Sequence, residues 1–162
     1  CLWSALDVHD RIGQEGLEVI GKNRFGENAL RIDVEIEKVI IARLRKEQFP
    51  VRIVSEEHGI IDMMSNPQFL GRLDGLDGSS VYKKSRGRGR YGTMLDIALG
   101  LDPQYREYIA GGIMEHAAQR LYCYAKEKGA YLVLRNGDKI LVQSADDTKF
   151  KHARVYADTV WK

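Results

Sequence analysis

Phe69-Leu70-Gly71-Arg72-Leu73-Asp74-Gly75-Leu76-Asp77-Gly78-Ser79-Ser80 begins apolar and ends in acids, glycine and hydroxyls. The run Phe69 to Leu73 predicts a strand whose end delivers two carboxylates three residues apart, Asp74 and Asp77. Oxygen ligands grouped in this way suit a hard cation. A calcium EF-hand loop is excluded, because it needs oxygen side chains at alternate positions and Leu76 occupies one of them. If Gly78-Ser79-Ser80 opens a helix, its first backbone amides suit a phosphate. An Asp-Gly-rich turn without a ligand is the plain alternative.

Upstream, Val51-Arg52-Ile53-Val54 predicts another strand, and it runs into Ser55-Glu56-Glu57-His58-Gly59. That acid pair reads either as a solvated turn or as further oxygen ligands. A helix begins near Asp33, with Ile36, Val39, Ile40 and Leu44 as its apolar stripe. Glu35, Glu37, Lys38, Arg43 and Lys46 are expected to face water, and Pro50 closes the segment. Asp33 serves such a helix start as a cap, or supplies a further acid to a site. A first helix is expected from Ala5, Leu6, His9, Ile12, Leu17 and Ile20, ended by Gly21, with Lys22 to Asn28 as a loop. Downstream, strands are expected within Tyr91 to Gly100, Tyr108 to Met114 and Arg120 to Ala125. An Asn136-Gly137 hairpin joins Tyr131–Leu134 to Lys139–Val142, and a last strand covers Ala153 to Ala157. Two helices followed by largely antiparallel strands make an α+β fold.

The 162 residues are 44% hydrophobic and 30% charged, which is globular and excludes a disordered chain. Lys plus Arg number 25 against 23 for Asp plus Glu, a net charge of +2 that argues against a generally cationic nucleic-acid binder. Two cysteines, Cys1 and Cys123, exclude a Cys-rich zinc site or a disulfide framework. No apolar run approaches the roughly 20 residues of a membrane span. A soluble, reduced, cytoplasmic protein is expected, and the start at Cys1 rather than Met points to a piece of something longer.

Gly87-Arg88-Gly89-Arg90-Tyr91-Gly92 matches Gly-x-Gly-x-x-Gly, but a dinucleotide site must follow a strand and open a helix, and this run does neither. The five basic residues from Lys83 to Arg90 read as a solvated loop or as a contact for an anionic substrate. His9, His58, His116 and His152 are scattered, and only His58 adjoins the acids. Cys123 reads as a small buried hydrophobe, and Tyr122, Tyr124 and Tyr131 as sheet packing.

An acid at a helix start, an acid pair after a strand and Asp-x-x-Asp-Gly-Ser together resemble the inositol monophosphatase family, whose superfamily includes fructose-1,6-bisphosphatases. Lys22, Asp33, Pro50 and Glu56-Glu57 stand in the family's order, Asp74 to Ser79 match its Asp-Pro-Ile/Leu-Asp-Gly-Thr/Ser, and Gly129-Ala130 precedes its Asn-Gly hairpin. Gly75 departs from the usual proline. The resemblance implies a Mg2+-dependent phosphomonoesterase for a small sugar or inositol phosphate, using two or three ions, with Mn2+ as a substitute. It implies that Glu57, Asp74 and the Leu76 carbonyl hold the first metal and that Asp74 and Asp77 share the second. Gly78 and Ser79 would hold the phosphate, and Asp33 and the Ser79 hydroxyl would position the attacking water. Lys22, Arg86, Arg88 and Arg90 form a possible substrate loop. Residues 1–150 would be the N-terminal α+β metal- and phosphate-binding domain, with 151–162 beginning a C-terminal half that this chain lacks. A homodimer is expected of the whole enzyme, and neither membrane nor nucleic acid as a partner. The rival reading is a non-catalytic module that binds metal, phosphate or nucleic acid through residues 83–90.

Overall fold

The computed structural model describes residues 1–143, so the expected strand at Ala153 to Ala157 and the start of a second half lie outside the described residues. Helix α1 (Leu2–Ile12) is followed by a 3-10 turn, Gly13–Leu17, and by the hairpin of β1 (Val19–Lys22) and β2 (Asn28–Leu30). Helix α2 (Arg31–Lys46) leads into β3 (Val51–Ser55), β4 (Gly59–Asp62) and β5 (Phe69–Asp77). A short helix, α3 (Ser79–Ser85), precedes β6 (Gly92–Leu99), β7 (Tyr108–Glu115), β8 (Arg120–Ala125), β9 (Gly129–Val133) and β10 (Lys139–Val142).

Eight of these strands form one sheet in the order β10-β9-β8-β7-β6-β5-β3-β4. All neighbours are antiparallel except β3 and β5, because the β3–β4 hairpin folds outward and β5 returns on the other side of β3. The α+β fold is therefore the one expected. Val51, Ile53 and Ser55 of β3 are buried at a period of two, and they meet Ile32, Ile36, Ile40 and Leu44 of α2 at a period near 3.6. Leu73 and Leu76 of β5 close the same core, and Leu6 of α1 packs on Met114 and Leu121. No helix among the described residues is long and apolar enough to cross a membrane.

Three expectations need correction, and the loop expected at Lys22 to Asn28 stands between two strands. The first helix ends at Ile12 and does not run to Ile20. Gly13 takes φ +52°, and at Gly16 a Cβ would lie 2.8 Å from the Tyr82 hydroxyl and 2.9 Å from Ile32 Cβ, so the chain packs where a regular helix with side chains cannot. Lys22 to Asn28 is a hairpin tip, since Asn23 Oδ1 accepts the amides of Phe25 and Glu27, both at 3.0 Å. Lys83 and Lys84 belong to α3, so the basic segment is a loop only beyond Ser85. Glu37 does not face water: it is wholly buried.

Ile36 has no exposed surface in the middle of the α2 contact, whereas Glu35 one residue earlier pairs with Lys38 at the surface. Ile36→Ala should lower the unfolding free energy in urea by about 2–5 kcal/mol, and Glu35→Ala by less than about 0.5 kcal/mol.

Candidate metal and phosphate site

Three segments bring acids to one end of the sheet. Asp33 is the third residue of α2, not its cap; Leu30 holds that position. Glu56 and Glu57 form the β3–β4 turn, and Asp74 and Asp77 close β5. The β5–β6 register breaks between Asp74 and Asp77, and within that bulge the Leu76 amide donates to Asp74 Oδ1 at 2.9 Å. The bulge explains why two acids three apart leave the flat ladder at one place.

Glu37, one turn after Asp33, ties these segments together. Its Oε2 accepts the Ser55 hydroxyl, the Glu57 amide at 3.3 Å and His58 Nδ1 at 2.9 Å, while Oε1 is buried without a partner. Asn23 adds a link from the β1–β2 hairpin, donating through Nδ2 to Glu56 Oε1 at 2.7 Å. On the strand side, a Cβ at Gly75 would lie 2.6 Å from the Asp33 carbonyl and 2.8 Å from its Oδ1. Helix α2 thus presses directly on the Asp74–Asp77 bulge.

Crowding shows in the ionisation. Burial, then the charges of Asp74, Glu57, Glu37 and Glu56, push the Asp33 carboxyl up to about 8. Asp74 rises to about 7 through burial and then Glu56, Asp77 and Glu37. Glu57 rises to about 7 through burial, Glu37 and Glu56, and Glu56 is raised by burial and Glu27. Every charge pressing on Asp33 and Asp74 is an acid. Such a cluster fits a hard divalent cation, which replaces mutual repulsion with attraction. Among the described residues, no three His, Cys, Asp or Glu side chains are already grouped closely enough to hold an ion between them.

Against this geometry, no protein-family model and no curated protein matches the chain, but solved structures do. Fructose-1,6-bisphosphatase from Leishmania major superposes with a TM-score of 0.65 at 18% identity, over 86% of this chain and 50% of that one. A hypothetical protein from Pyrococcus horikoshii with similarities for inositol-1 monophosphatase gives 0.62 at 25% identity, over 90% and 53%. A staphylococcal inositol monophosphatase-1, in a lithium-chloride-soaked inhibitory complex, gives 0.63 at 15%, over 80% and 46%. This chain has the fold of the N-terminal half of the inositol monophosphatase and fructose-1,6-bisphosphatase structures. It spans about half the length of the solved structures it matches.

On this inositol monophosphatase fold, Asp33, Glu57, Asp74 and Asp77 stand within reach of one another's charge or of a common neighbour, with Gly78 and Ser79 opening α3 directly after Asp77. Arg90 also belongs nearby, since with Asp77, Tyr91, Arg120 and Tyr122 it lines a cavity of about 390 Å3. Lys22 is spent within its own hairpin, donating to the Gly26 carbonyl at 2.9 Å. Arg86 and Arg88 are exposed and make no ion pair among the described residues. A larger cavity of about 670 Å3, walled by Tyr108, Tyr122, Tyr124 and Tyr131, contains none of these acids. The tyrosines expected to pack the sheet therefore face an open groove. Glu37 and Asn23 are additions to the expected residues, and Glu56 has no separate role in the sequence reading beyond its pairing with Glu57. For Glu37 the signal was present, since Asp33, Glu37, Ile40, Ile41 and Leu44 share one helical face.

Carboxyls whose pKa is raised on folding stabilise the folded chain fully below their unfolded pKa, and that stability is lost as pH rises through the folded value. With Asp33 near about 8 and Asp74 and Glu57 near about 7, the melting temperature without divalent ions should fall from about pH 5 to about pH 8. Asp33→Asn should flatten that fall, and MgCl2 should raise the melting temperature most at the upper end. A wild-type curve that rises over the window, followed by differential scanning calorimetry, would contradict the crowding.

Proposed function

We propose that this chain is the metal- and phosphate-binding half of a Mg2+-dependent phosphomonoesterase for a small sugar or inositol phosphate. The acid cluster of Asp33, Glu57, Asp74 and Asp77 on this fold, with the first three raised in pKa by burial and neighbouring charge, carries the reading.

In this proposal Glu57, Asp74 and the Leu76 carbonyl would hold one ion, and Asp74 and Asp77 would hold a second. Glu56 is a further ligand candidate, because its charge is the first to act on Asp74 and it feels Asp77 in turn. Bound Mg2+, as two or three ions with Mn2+ as substitute, would lower the pKa of water and of the surrounding carboxyls and offset charge on the phosphoryl oxygens. The amides of Gly78 and Ser79 hold the phosphate. Asp33 and Ser79 Oγ orient the attacking water, and Asp33 takes up its proton. Arg90, with Lys22, Arg86 and Arg88 farther out, draws in the anionic substrate. Residues 1–150 make up this half. The segment from 151 onward begins the other, which supplies a remaining carboxylate, sugar contacts and a homodimer surface in a cytoplasmic enzyme.

Calorimetric titration of the 162-residue chain with MnCl2 tests the metal assignment. The wild type should bind saturably, and Asp74→Asn should bind about tenfold more weakly or worse, since that residue serves both ions. Equal binding by the two would overturn the assignment. Phosphate release from sugar phosphomonoesters by this chain should be slow or undetectable, and rapid Mg2+-dependent turnover would refute the need for a second half.

A further inference from the structure

Behind the Asp74–Asp77 bulge lies a buried polar chain that the proposed chemistry does not use. Thr93 on β6 has no exposed surface, and its hydroxyl donates to the Gly75 carbonyl at 2.7 Å. His116, at the end of β7 and 1% exposed, places Nε2 at 2.9 Å from the same hydroxyl. The hydroxyl has one proton, and Gly75 takes it. His116 Nε2 must therefore be the donor, which leaves Nδ1 as an acceptor. That Nδ1 is buried without a partner.

The arrangement is held from the helix side. The His9 ring of α1 stacks on His116 with centroids 4.6 Å apart, and His9 Nε2 lies 2.7 Å from the Tyr91 hydroxyl. Tyr91 in turn donates to the Gly87 carbonyl at 2.8 Å. One end of the chain grips the acid-bearing bulge and the other grips the loop that carries Arg86, Arg88 and Arg90.

We propose that Thr93 and His116 are positioning residues that fix the Gly75 carbonyl and so set the relative placement of Asp74, Leu76 and Asp77 for a divalent cation. The proposal rests on the metal reading above. Gly75 sits between two of the proposed donors, and as a glycine in a bulge it has little torsional restraint of its own. A hydrogen bond from a wholly buried strand residue supplies that restraint. The His116 ring prevents the hydroxyl from rotating away, because turning it would leave both Nε2–H and the Gly75 carbonyl unpaired.

Three variants of the full 162-residue chain separate this role from general stability. Thr93→Val keeps the shape and removes the hydroxyl, Thr93→Ser restores the hydroxyl, and His116→Phe keeps a ring without the donor. With Mn2+ as probe, Thr93→Val and His116→Phe should weaken binding about tenfold, as expected when an outer partner of a metal ligand is lost. Thr93→Ser should stay within about twofold of wild type. Exchange of the Leu76 amide, which caps Asp74, should quicken in Thr93→Val and recover in Thr93→Ser. Wild-type Mn2+ affinity in Thr93→Val would overturn the proposal while leaving the metal reading intact.

If the wild type itself bound no Mn2+, the metal reading would fall, and equal Leu76 exchange in the valine and serine variants would then overturn the positioning role as well. Nitrogen NMR of the wild-type imidazoles decides the case where a variant fails to fold. The His116 ring should carry its proton on Nε2, and a proton on Nδ1 would overturn the proposal.

Discussion

The relative placement of Asp33 and Glu57 depends on one carboxylate that never reaches solvent. Glu37 is completely buried, and its three donors, the Ser55 hydroxyl, the Glu57 amide and His58 Nδ1, come from a single turn. Helix α2 and the β3–β4 turn are thereby joined, so Asp33 on the helix and Glu57 on the turn keep a fixed relation. Losing the partners of a buried charge costs about 3–5 kcal/mol, far more than a surface ion pair contributes. The bonds of Arg52 to Asp62 and of Arg72 to Asp96, both at the sheet surface, are minor by comparison. Glu37 also contributes to the charge that raises Asp33, Glu57 and Asp74.

The strands were legible because their patterns are local. Val51 to Val54, Arg120 to Ala125 and the Asn136-Gly137 hairpin announce themselves by alternation and turn chemistry, and the structure has strands at each. The edge strand β4 was not, since Gly59–Asp62 alternates over only four residues and leaves Ile60 65% exposed. The overlong first helix was a false period: Leu17 and Ile20 fit the spacing, but Gly13 and Gly16 break the backbone between them. The charge of Glu37 suggests exposure, but its four-residue spacing from Asp33 places it inward. The residues proposed for metal and phosphate come from motif order along the chain and the family it resembles, and the structure adds that Asp33, Glu57, Asp74 and Asp77 feel one another's charge directly or through a neighbour.

What sequence could not disclose is the support behind the site. Thr93 contacts Gly75 across 18 residues, His116 contacts Thr93 across 23, and His9 contacts Tyr91 across 82. A threonine inside an alternating strand and two isolated histidines have no local signature of partnership. They meet only because β5, β6 and β7 are adjacent in the sheet and α1 packs on β6 and β7. His116 illustrates the cost. Burial, and the neighbouring His9 after it, push its pKa down to about 3, so a group that titrates near neutrality in water is held neutral for its hydrogen bond.

Gly75 brings these strands of the structure together. The motif that this stretch resembles has proline at this step, and proline would stiffen the bulge through its own ring. Here the Asp33 carbonyl stands 2.6 Å from where any Cβ would lie, so the close approach of α2 excludes proline and alanine alike. A glycine that permits the approach also surrenders rigidity, because it restricts φ and ψ least of all residues. The restraint has to come from outside the backbone, and the Thr93 hydroxyl on the Gly75 carbonyl is where the structure provides it. Close packing of Asp33 against the bulge and a tethered carbonyl are in this sense one solution. The first brings a buried acid next to Asp74, and the second keeps a flexible peptide from yielding to the repulsion that follows.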